Sequence, residues 1–453
     1  MSLTSREQDL VPLREATKAW FKISLQTFGG PAGQIAVMQR SLVDEHRWIG
    51  ERRFLHALSY CMLLPGPEAQ QLAIYVGWLL NGAAGGLIAG VLFVLPGLVA
   101  LLALSAAYVG LGETALLTAL FSGLAPAVLA IVTQAVIRVA GRALHHRALI
   151  ALAVGAFVAL AAFAVPFPIV VLAAGVIGWV IGRLRPDIMT KPDKKKAQAD
   201  GPEPLISDDA LHHAAPTLRR AGVILAIGLP LWLGPVAIAF ALTGADSVFT
   251  QQGLFFSGTA LVTFGGAYAV LAYVAQKAVE TYHWLAPGEM VRGLALAETT
   301  PGPLIMVVQF VAFLGAFRDP GSLDPWVAAV IASLLTTWVT FVPCFLFIFV
   351  GAPYVERLRG NKSLSAALTG ITAAVVGVIA NLAVYFATAT LFAQSHEYAW
   401  GPLHLNLPVL TSLQPVALVI GAIAMVLIFT LKWSVLRTLG VCALLGLAAG
   451  LVF

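Results

Sequence analysis

Two short motifs of glycine and proline each occur twice in this sequence, within stretches that are otherwise apolar. Phe28-Gly29-Gly30 recurs as Phe264-Gly265-Gly266, and Pro65-Gly66-Pro67 recurs as Pro301-Gly302-Pro303. Such a break in an apolar helix frees backbone N–H groups at the start of the next helix, where the helix dipole favours an anion. These twelve residues are therefore predicted to bind an anionic substrate. A single break could equally be a structural kink, but the duplication favours a binding site.

Four ionisable side chains stand close to these motifs. Glu68 directly follows the first Pro-Gly-Pro motif, and Glu298 lies three residues before the second. A charged group at membrane depth costs roughly 3 kcal/mol, so both glutamates are predicted to carry a proton or to pair with a basic side chain. Arg53 and Arg292 lie on the segments that lead into the breaks, where they could attract an anion or extend to the membrane interface.

Neutral amides form a second group of candidates, because their NH₂ groups can donate hydrogen bonds to an oxyanion. Gln70 follows the first Pro-Gly-Pro motif closely and is included among the predicted substrate-binding residues. Gln134 and Asn381 could bind the substrate or hold neighbouring helices together. His56 is either a protonatable site or a packed side chain.

The sequence offers little for metal or nucleotide chemistry. Cys61, Cys344 and Cys442 fall in apolar stretches without metal-ligand spacing, which predicts a packing role, no metal and no cofactor. A phosphate-binding loop of the Walker type is missing, so coupling to an ion gradient is predicted. The net charge of +5 comes from basic residues between apolar stretches, which indicates cytoplasmic loops and argues against nucleic-acid binding.

The elements that position these residues must be membrane helices. The chain of 453 residues is 59% hydrophobic and 11% charged, whereas soluble domains carry about 25% charged residues. Its mean hydropathy is +0.88. Many apolar windows exceed the roughly 18 residues that a helix needs to cross the hydrocarbon core, and they lack the alternation of barrel strands. We therefore predict an all-α polytopic membrane protein.

The two copies of each motif are related by a constant offset. Both motifs and Thr27 recur after 236 positions. Further along the sequence, Pro96 aligns with Pro343 and Gly123 aligns with Gly370. Their offset is 247, because the second half contains a longer loop. The chain is therefore predicted to be a duplication. Its predicted units are a first repeat at 1–183, a cytoplasmic polar linker at 184–218, an extra transmembrane helix at 219–242 and a second repeat at 243–453.

The loop charges predict how the repeats cross the membrane. About 13 hydrophobic segments, with an extra helix between the halves, give the halves opposite orientations and hence an inverted repeat. With the N-terminus and the linker in the cytoplasm, the basic stretch 138–147 falls inside and 393–407 falls outside. The basic loop 40–53 would then lie outside, against the charge rule. It stays inside if segments 20–40 and 54–80 are re-entrant, and both topologies are kept as alternatives.

The residues around the motifs resemble the chromate ion transporter family. The resemblance is carried by FGGPAGQIAVMQ at 28–39, LLPGPEAQQLAIYVGW at 63–78, TFGGAYAVLAYV at 263–274 and ETTPGPLIMVVQFVAFLGA at 298–316. It extends over nearly the whole chain in the long, two-domain form of that family. The second half departs at Leu304, where the first half has Glu68, so the two halves need not bind the substrate alike.

This resemblance implies a multi-pass protein of a bacterial inner membrane that exports chromate. Sulfate is implied as a related tetrahedral dianion, and the proton motive force is implied as the energy source. The family motifs carry over onto the twelve motif residues and Glu68. The alternative within transport is an importer or exchanger of sulfate-like anions, or an anion channel.

Other classes of membrane protein fit the sequence less well. A membrane enzyme would need several Asp, His or Glu side chains close to the lipid headgroups, and the loops offer no such cluster, so no enzymatic activity is predicted. A purely structural protein would not need both motifs twice. The predicted partners are chromate, sulfate, protons and the lipid bilayer. Two fused halves make a monomer sufficient, and a homodimer is also compatible.

Overall fold

The computed structural model is a bundle of long and short helices. It describes residues 10–112, 114–189, 204–206, 217–264, 266–352 and 362–452. Six of the described helices are long and apolar enough to cross a membrane. The predicted all-α polytopic fold is thereby confirmed.

The first half contains eight described helices. They are α1 (Leu13–Ser24), α2 (Gly30–Gln39), α3 (Glu51–Cys61), α4 (Glu68–Leu111), α5 (Ala115–Ala143), α6 (Arg147–Ala161), α7 (Phe167–Leu184) and the single turn α8 (Pro186–Met189). A π-helical turn, Arg40–Glu45, continues α2.

After the linker, α9 (Leu218–Thr243) is the predicted extra helix. The second half follows with α10 (Val248–Val262), α11 (Ala267–Gln276), α12 (Glu289–Thr299), α13 (Val307–Arg318), α14 (Pro325–Gly351), α15 (Lys362–Leu391), α16 (Pro415–Met425) and α17 (Val435–Val452). A π-helical turn at Lys277–Thr281 continues α11, just as one continues α2. The repeat therefore preserves even this local irregularity.

Helix α4 is a hairpin of two antiparallel arms. Asn81 (φ −140°, ψ 31°) and Gly82 (φ 57°, ψ −151°) leave the helical conformation and reverse the chain. A Cβ on Gly77 would lie 2.5 Å from the carbonyl oxygen of Gly85, although eight residues of straight helix would separate them by about 12 Å. The arms are residues 68–80 and 83–111.

Several loops of the first half meet the linker at one end of the bundle. The backbone N–H of Gly50, between α2 and α3, donates to the carbonyl of Ile206 over 3.0 Å. The guanidinium of Arg220, at the start of α9, lies 5.5 Å from the ring centroid of Trp78, close to the turn of α4. This end of the molecule is termed the linker end.

The short helices of the first half enter from the linker end and return to it. Helix α1 starts beside the turn of α4, where Asn81 Nδ2 donates to the carbonyl of Val11 over 2.6 Å. Helix α3 has 11 residues, so it is only about 16 Å long, roughly half of the hydrocarbon core. Helices α1 and α2 therefore form one re-entrant pair, and α3 forms another with the 68–80 arm. Neither pair crosses the membrane.

The corresponding helices of the second half meet at the other end of the bundle, termed the far end. Tyr108, close to the end of α4, donates to Glu289 at the start of α12 over 3.2 Å. Arg318, at the end of α13, donates to the carbonyl of Trp284 over 3.0 Å. The 83–111 arm of α4 connects the two ends over roughly 40 Å of helix.

The two halves therefore form an inverted repeat, as predicted, because their short helices enter from opposite ends. Of the two topologies that the sequence left open, the structure has the re-entrant one. Segments 20–40 and 54–80 both return to the linker end, and the loop 40–53 lies beside the linker. The conflict with the charge rule disappears, because the arginines of this loop join the other basic residues at the same end.

The last long helix of each half packs against the other half. Helix α7 lies on α15, and α17 lies on α5. A Cβ on Gly178 would lie 2.8 Å from the Cα of Gly370, and one on Gly446 would lie 2.7 Å from the Cα of Gly123. Small residues allow such close crossings of membrane helices. This exchange of helices ties the two halves together.

A small antiparallel sheet departs from the all-α prediction. Strand β1 (Ser395–Trp400) pairs with β2 (Leu403–Pro408) around Gly401, which has φ +60°. The backbone N–H of His404 donates to the carbonyl of Ala162 over 2.8 Å, so the hairpin rests on the end of α6. The sequence predicted this region only as an external loop.

The re-entrant topology predicts which loops can be labelled from each side of the membrane. Asp44 and Ser322 are both exposed, whereas Cys61, Cys344 and Cys442 are buried. With the linker end in the cytoplasm, a membrane-impermeant maleimide should label Ser322→Cys in intact cells and Asp44→Cys only in everted vesicles. Labelling of both variants in intact cells would show that the loop 40–53 lies outside and would exclude the re-entrant topology.

Candidate functional site

Each motif separates one helix from the next. Helix α2 begins after Gly29 (φ +78°) and α11 begins after Gly266 (φ +102°), a backbone region that glycine adopts without strain. Helix α4 begins after Pro67. Pro303 precedes a 3₁₀ turn, Leu304–Met306, that leads into α13. Four helix N-termini therefore start at the motifs.

The structure joins each glycine motif to the Pro-Gly-Pro motif of the other half. The backbone N–H of Gly302 donates to the carbonyl of Thr27 over 3.0 Å, and that of Gly66 donates to the carbonyl of Thr263 over 2.7 Å. Thr27 and Thr263 are equivalent in the repeat, as are Gly66 and Gly302. The two contacts are therefore reciprocal, as a pseudo-two-fold axis between the halves requires. These two places are termed the crossed junctions.

Close packing behind the crossed junctions is also reciprocal. A Cβ on Gly302 would lie 3.3 Å from the Cα of Gly97, and a Cβ on Gly66 would lie 3.0 Å from the Cys344 sulfur. Gly97 and Cys344 occupy equivalent positions, each directly after the proline of a long helix, α4 or α14. The Pro-Gly-Pro turn of each half is thus held against a long helix of the other half.

Side chains stabilise the two crossed junctions differently. At the first, the buried Gln34 donates through Nε2 to the carbonyl of Gly302 over 2.6 Å, and the hydroxyl of Thr27 accepts from the Gly302 N–H over 3.2 Å. At the second, Gln71 Nε2 donates to the carbonyl of Pro65 over 2.6 Å. The backbone geometry is therefore duplicated, while its side-chain support has diverged.

The first crossed junction lies next to a buried carboxyl group. The hydroxyl of Tyr268, on α11, donates to Glu298 Oε1 over 2.6 Å, and a Cβ on Gly30 would lie 3.8 Å from the same hydroxyl. Glu298 is only 2% exposed. Its Oε2 is also buried and has no hydrogen-bond partner among the described residues. This oxygen is therefore placed to accept a proton, a water molecule or a substrate contact.

Gln70 is a second buried polar group without described partners. It is 0% exposed, and neither its Nε2 nor its Oε1 forms a hydrogen bond within the described part of the chain. A buried amide usually has a partner, and an unsatisfied one commonly indicates water or a ligand. Gln70 lies in the first turn of α4, two residues after Glu68 and beside the second crossed junction.

Helix α5 presents a polar stripe toward the junctions. Gln134, Arg138 and Arg142 recur every four residues and so lie on one helix face, and Arg138 donates to Gln134 Oε1 over 2.9 Å. The charge of Arg142 acts on Glu68, and that of Arg138 acts on Glu298. The sequence placed residues 138–147 in a cytoplasmic loop. The structure differs in the local conformation, because α5 continues to Ala143 and the next helix begins at Arg147.

The two halves pack unequally against α5 and α15. Helix α12 lies against α5, and α11 lies against α15. The equivalent pairs of the first half are α3 with α15 and α2 with α5, and within the described residues they make at most marginal contact. The helices of the second half therefore pack more closely against α5 and α15 than those of the first half, and Arg138 and Arg142 of α5 are exposed.

The remaining predicted residues are not all at the junctions. Arg53 is 6% exposed and lies in the first turn of α3, near the linker end. Arg292 lies at the far end, where it donates to the hydroxyl of Tyr108 over 3.0 Å. Gly265 lies outside the described residues. Phe28 and Phe264 are partly exposed beside their motifs.

Several residues of the site were missed in the sequence. Tyr268 and Gln34 are uncharged, and the aligned positions of the other half hold different residues. The comparison of the two repeats therefore does not single them out. Arg138 and Arg142 could have been found, because a spacing of four residues after Gln134 continues the face of an apolar helix. A basic residue at this spacing is predicted to lie on the helix and not in the loop that follows it.

A family model described as "Chromate transporter" matches residues 14–179 and 250–447. Both matched stretches fall inside the two predicted repeats. No solved structure matches the chain.

Individual relatives are similar over most of their length. A chromate transport protein of Pseudomonas aeruginosa is 32% identical over 380 residues, which cover 82% of this chain and 80% of the relative. A chromate transport protein of Cupriavidus metallidurans is 28% identical over 382 residues, or 84% of each chain. A probable chromate transport protein of Synechococcus elongatus is 26% identical over 382 residues, or 84% of this chain and 86% of the relative.

Proposed function

Because the chain belongs to the chromate transporter family, we propose that it exports chromate from the cytoplasm across a bacterial inner membrane, driven by the proton motive force. The substrate is a tetrahedral dianion. In this proposal it reaches the crossed junctions from the linker end and leaves at the far end. The motif residues, with Glu68 and Gln70, form the proposed substrate path.

The observation that carries this proposal is the open space in front of two helix N-termini. A Cβ on Gly29 or on Gly266 would meet no atom within 4 Å, although these residues cap α2 and α11. The first N–H groups of a helix lack partners within the helix and carry partial positive charge. An oxyanion can therefore approach both helix starts closely and replace part of its hydration shell with backbone N–H groups.

The polar stripe on α5 supports entry from the linker end. Arg138 and Arg142 are exposed and place two positive charges on the linker-end part of α5. Positive charge in a narrow apolar cleft concentrates anions and speeds their arrival. The equivalent positions on α15 are Tyr385 and Ala389, which are uncharged. This difference between the halves favours uptake of an anion at the linker end over uptake at the far end.

Glu298 is the proposed proton carrier. It is buried next to the first crossed junction, and its unpartnered oxygen can be protonated without breaking the hydrogen bond from Tyr268. Glu68 is the alternative carrier, but it lies in the first turn of α4, where a carboxylate is also favoured by the helix dipole. Glu68 therefore has a structural reason to stay ionised that Glu298 does not share.

Transport into everted vesicles tests the proposed function. Vesicles containing the protein should accumulate chromate, an uncoupler should abolish the accumulation, and sulfate should compete. Arg142→Gln should raise the KM for chromate about tenfold, equivalent to about 1.4 kcal/mol of binding, because it removes a charge from the entry path. Arg147→Gln, on the exposed start of α6, is the matched control and should leave KM unchanged.

The same assay separates the alternatives. Chromate uptake that persists with the uncoupler and only equilibrates the ion would indicate a channel. Accumulation in right-side-out vesicles alone would indicate an importer of such anions. A well-expressed protein that moves no chromate in either orientation would refute chromate transport by this chain.

A further inference from the structure

A cavity at the far end is not part of the crossed junctions. Its volume is about 240 Å³, compared with about 30 Å³ for one water molecule in the liquid. Helices α4, α5, α12 and α13 surround it. The side chains that matter for its chemistry are Tyr108, Thr118, Phe121, Glu289, Arg292 and Arg318.

One arginine of the cavity is neutralised within the protein. Arg318 forms a bidentate pair with Glu289, with Nη1 to Oε2 at 2.8 Å and Nη2 to Oε1 at 2.7 Å. The backbone N–H of Ala286 also donates to Glu289 Oε2, over 2.7 Å. The side chain of Glu289 is only 9% exposed. This carboxylate is therefore fully engaged and does not compensate a second cation.

The second arginine supplies the surplus charge. Arg292 donates through Nη1 to the hydroxyl of Tyr108 over 3.0 Å, and its guanidinium carbon lies 5.8 Å from the ring centroid of Phe121. Among the described residues that line the cavity, Glu289 is the one carboxylate. A guanidinium has five N–H donors in a planar fork that fits an oxyanion. The donors that Tyr108 does not use are therefore available to a ligand in the cavity.

The charges of this cavity are not repeated at the equivalent described positions of the first half. In the repeat, Glu289 corresponds to Arg53 and Arg292 corresponds to His56, so the pattern of charges is different there. Tyr108 belongs to the first half, whereas Arg292 and Arg318 belong to the second. A ligand in this cavity would therefore contact both halves at the far end.

We propose that this cavity is a second oxyanion site, which holds a tetrahedral dianion of the chromate or sulfate type after it has passed the crossed junctions. Arg292 is its main ligand, and the hydroxyl of Thr118 contributes to its lining. The assignment rests on the proposed function for the direction of travel. Its chemistry, a surplus guanidinium in a partly open cavity, is independent of direction.

Equilibrium binding of radioactive sulfate to the purified full-length protein tests this site. The wild type should bind two sulfates, and Arg292→Gln should weaken one of them about 10- to 100-fold while leaving the other unchanged, since a charge-assisted hydrogen bond is lost. Thr118→Val provides a milder second variant and should weaken the same sulfate several-fold. Lys277→Gln, a partly exposed cation on the π-helical turn after α11, is the control and should retain both.

Two results would overturn the proposal. One is unchanged binding of both sulfates in Arg292→Gln and Thr118→Val, provided that each variant melts at the wild-type temperature. The other is displacement of the Arg292-dependent sulfate by micelles of phosphatidylglycerol, which would assign the cavity to a lipid phosphate. Failure of the proposed function would appear differently, as an absence of chromate flux in a protein that still binds two sulfates.

Discussion

Glu298→Gln is expected to abolish uncoupler-sensitive accumulation of chromate in everted vesicles. The variant keeps the shape of the side chain and can still accept the hydrogen bond from Tyr268 through its amide oxygen. It cannot take up a proton at the buried position that Oε2 occupies. Exchange of labelled chromate across the membrane, which needs no net proton movement, should continue at close to the wild-type rate.

The control for this prediction is an equally conservative change elsewhere. Glu397→Gln alters an exposed glutamate in the β-hairpin, which pairs with His404 over 3.5 Å, and should change neither accumulation nor exchange. Tyr268→Phe should retain accumulation with altered pH dependence, because it removes the hydrogen bond but leaves the carboxyl group. Full uphill accumulation by Glu298→Gln would show that another group, with Glu68 as the first candidate, carries the proton.

Gly97→Val is expected to eliminate transport while the protein remains in the membrane. A Cβ at this position would lie 2.6 Å from the carbonyl oxygen of Pro301 and 3.5 Å from the Cα of Gly302, so the second Pro-Gly-Pro turn would have to move. Overpacking of this kind costs typically about 1–3 kcal/mol. The hydrogen bond from Gly302 to Thr27 at the first crossed junction should be lost with it.

Gly155→Val is the matched control, because a Cβ on this glycine of α6 would meet no atom within 4 Å. Both variants place the same side chain in a membrane helix, and only Gly97 lies behind a junction. Chromate transport and the melting temperature of the purified protein should be measured for both. Equal activity of the two variants would show that the crossed junction can tolerate displacement and does not form the substrate path.

The unequal packing of the halves suggests what the second state of the transporter looks like. In an inverted repeat, the two halves can exchange their conformations. The first half would then pack as the second half does in this structure, and the reverse, which gives the state open to the far end. Helix α2 would then lie against α5, and α3 against α15.

The sequence alone determined the class of the protein, its duplication and the positions of its helix breaks. Sparse landmarks such as Pro65-Gly66-Pro67 and Pro301-Gly302-Pro303 specify these features locally, because glycine and proline restrict the backbone wherever they occur. The number of apolar segments, with an extra helix between the halves, gave the opposite orientation of the halves, and the longer apolar stretches gave most of the helix bounds. The resemblance to the family came from the same motifs.

Only the tertiary structure decided how these parts meet. Thr27 and Gly302 are 275 positions apart, and no local pattern predicts that one half's glycine motif pairs with the other half's Pro-Gly-Pro motif. Short helices such as α3 can be re-entrant or can form part of a span, and that choice depends on which end of the bundle their loops contact. The ionic pair of Glu289 with Arg318 likewise depends on packing between helices, since charge in a sequence does not specify its partner.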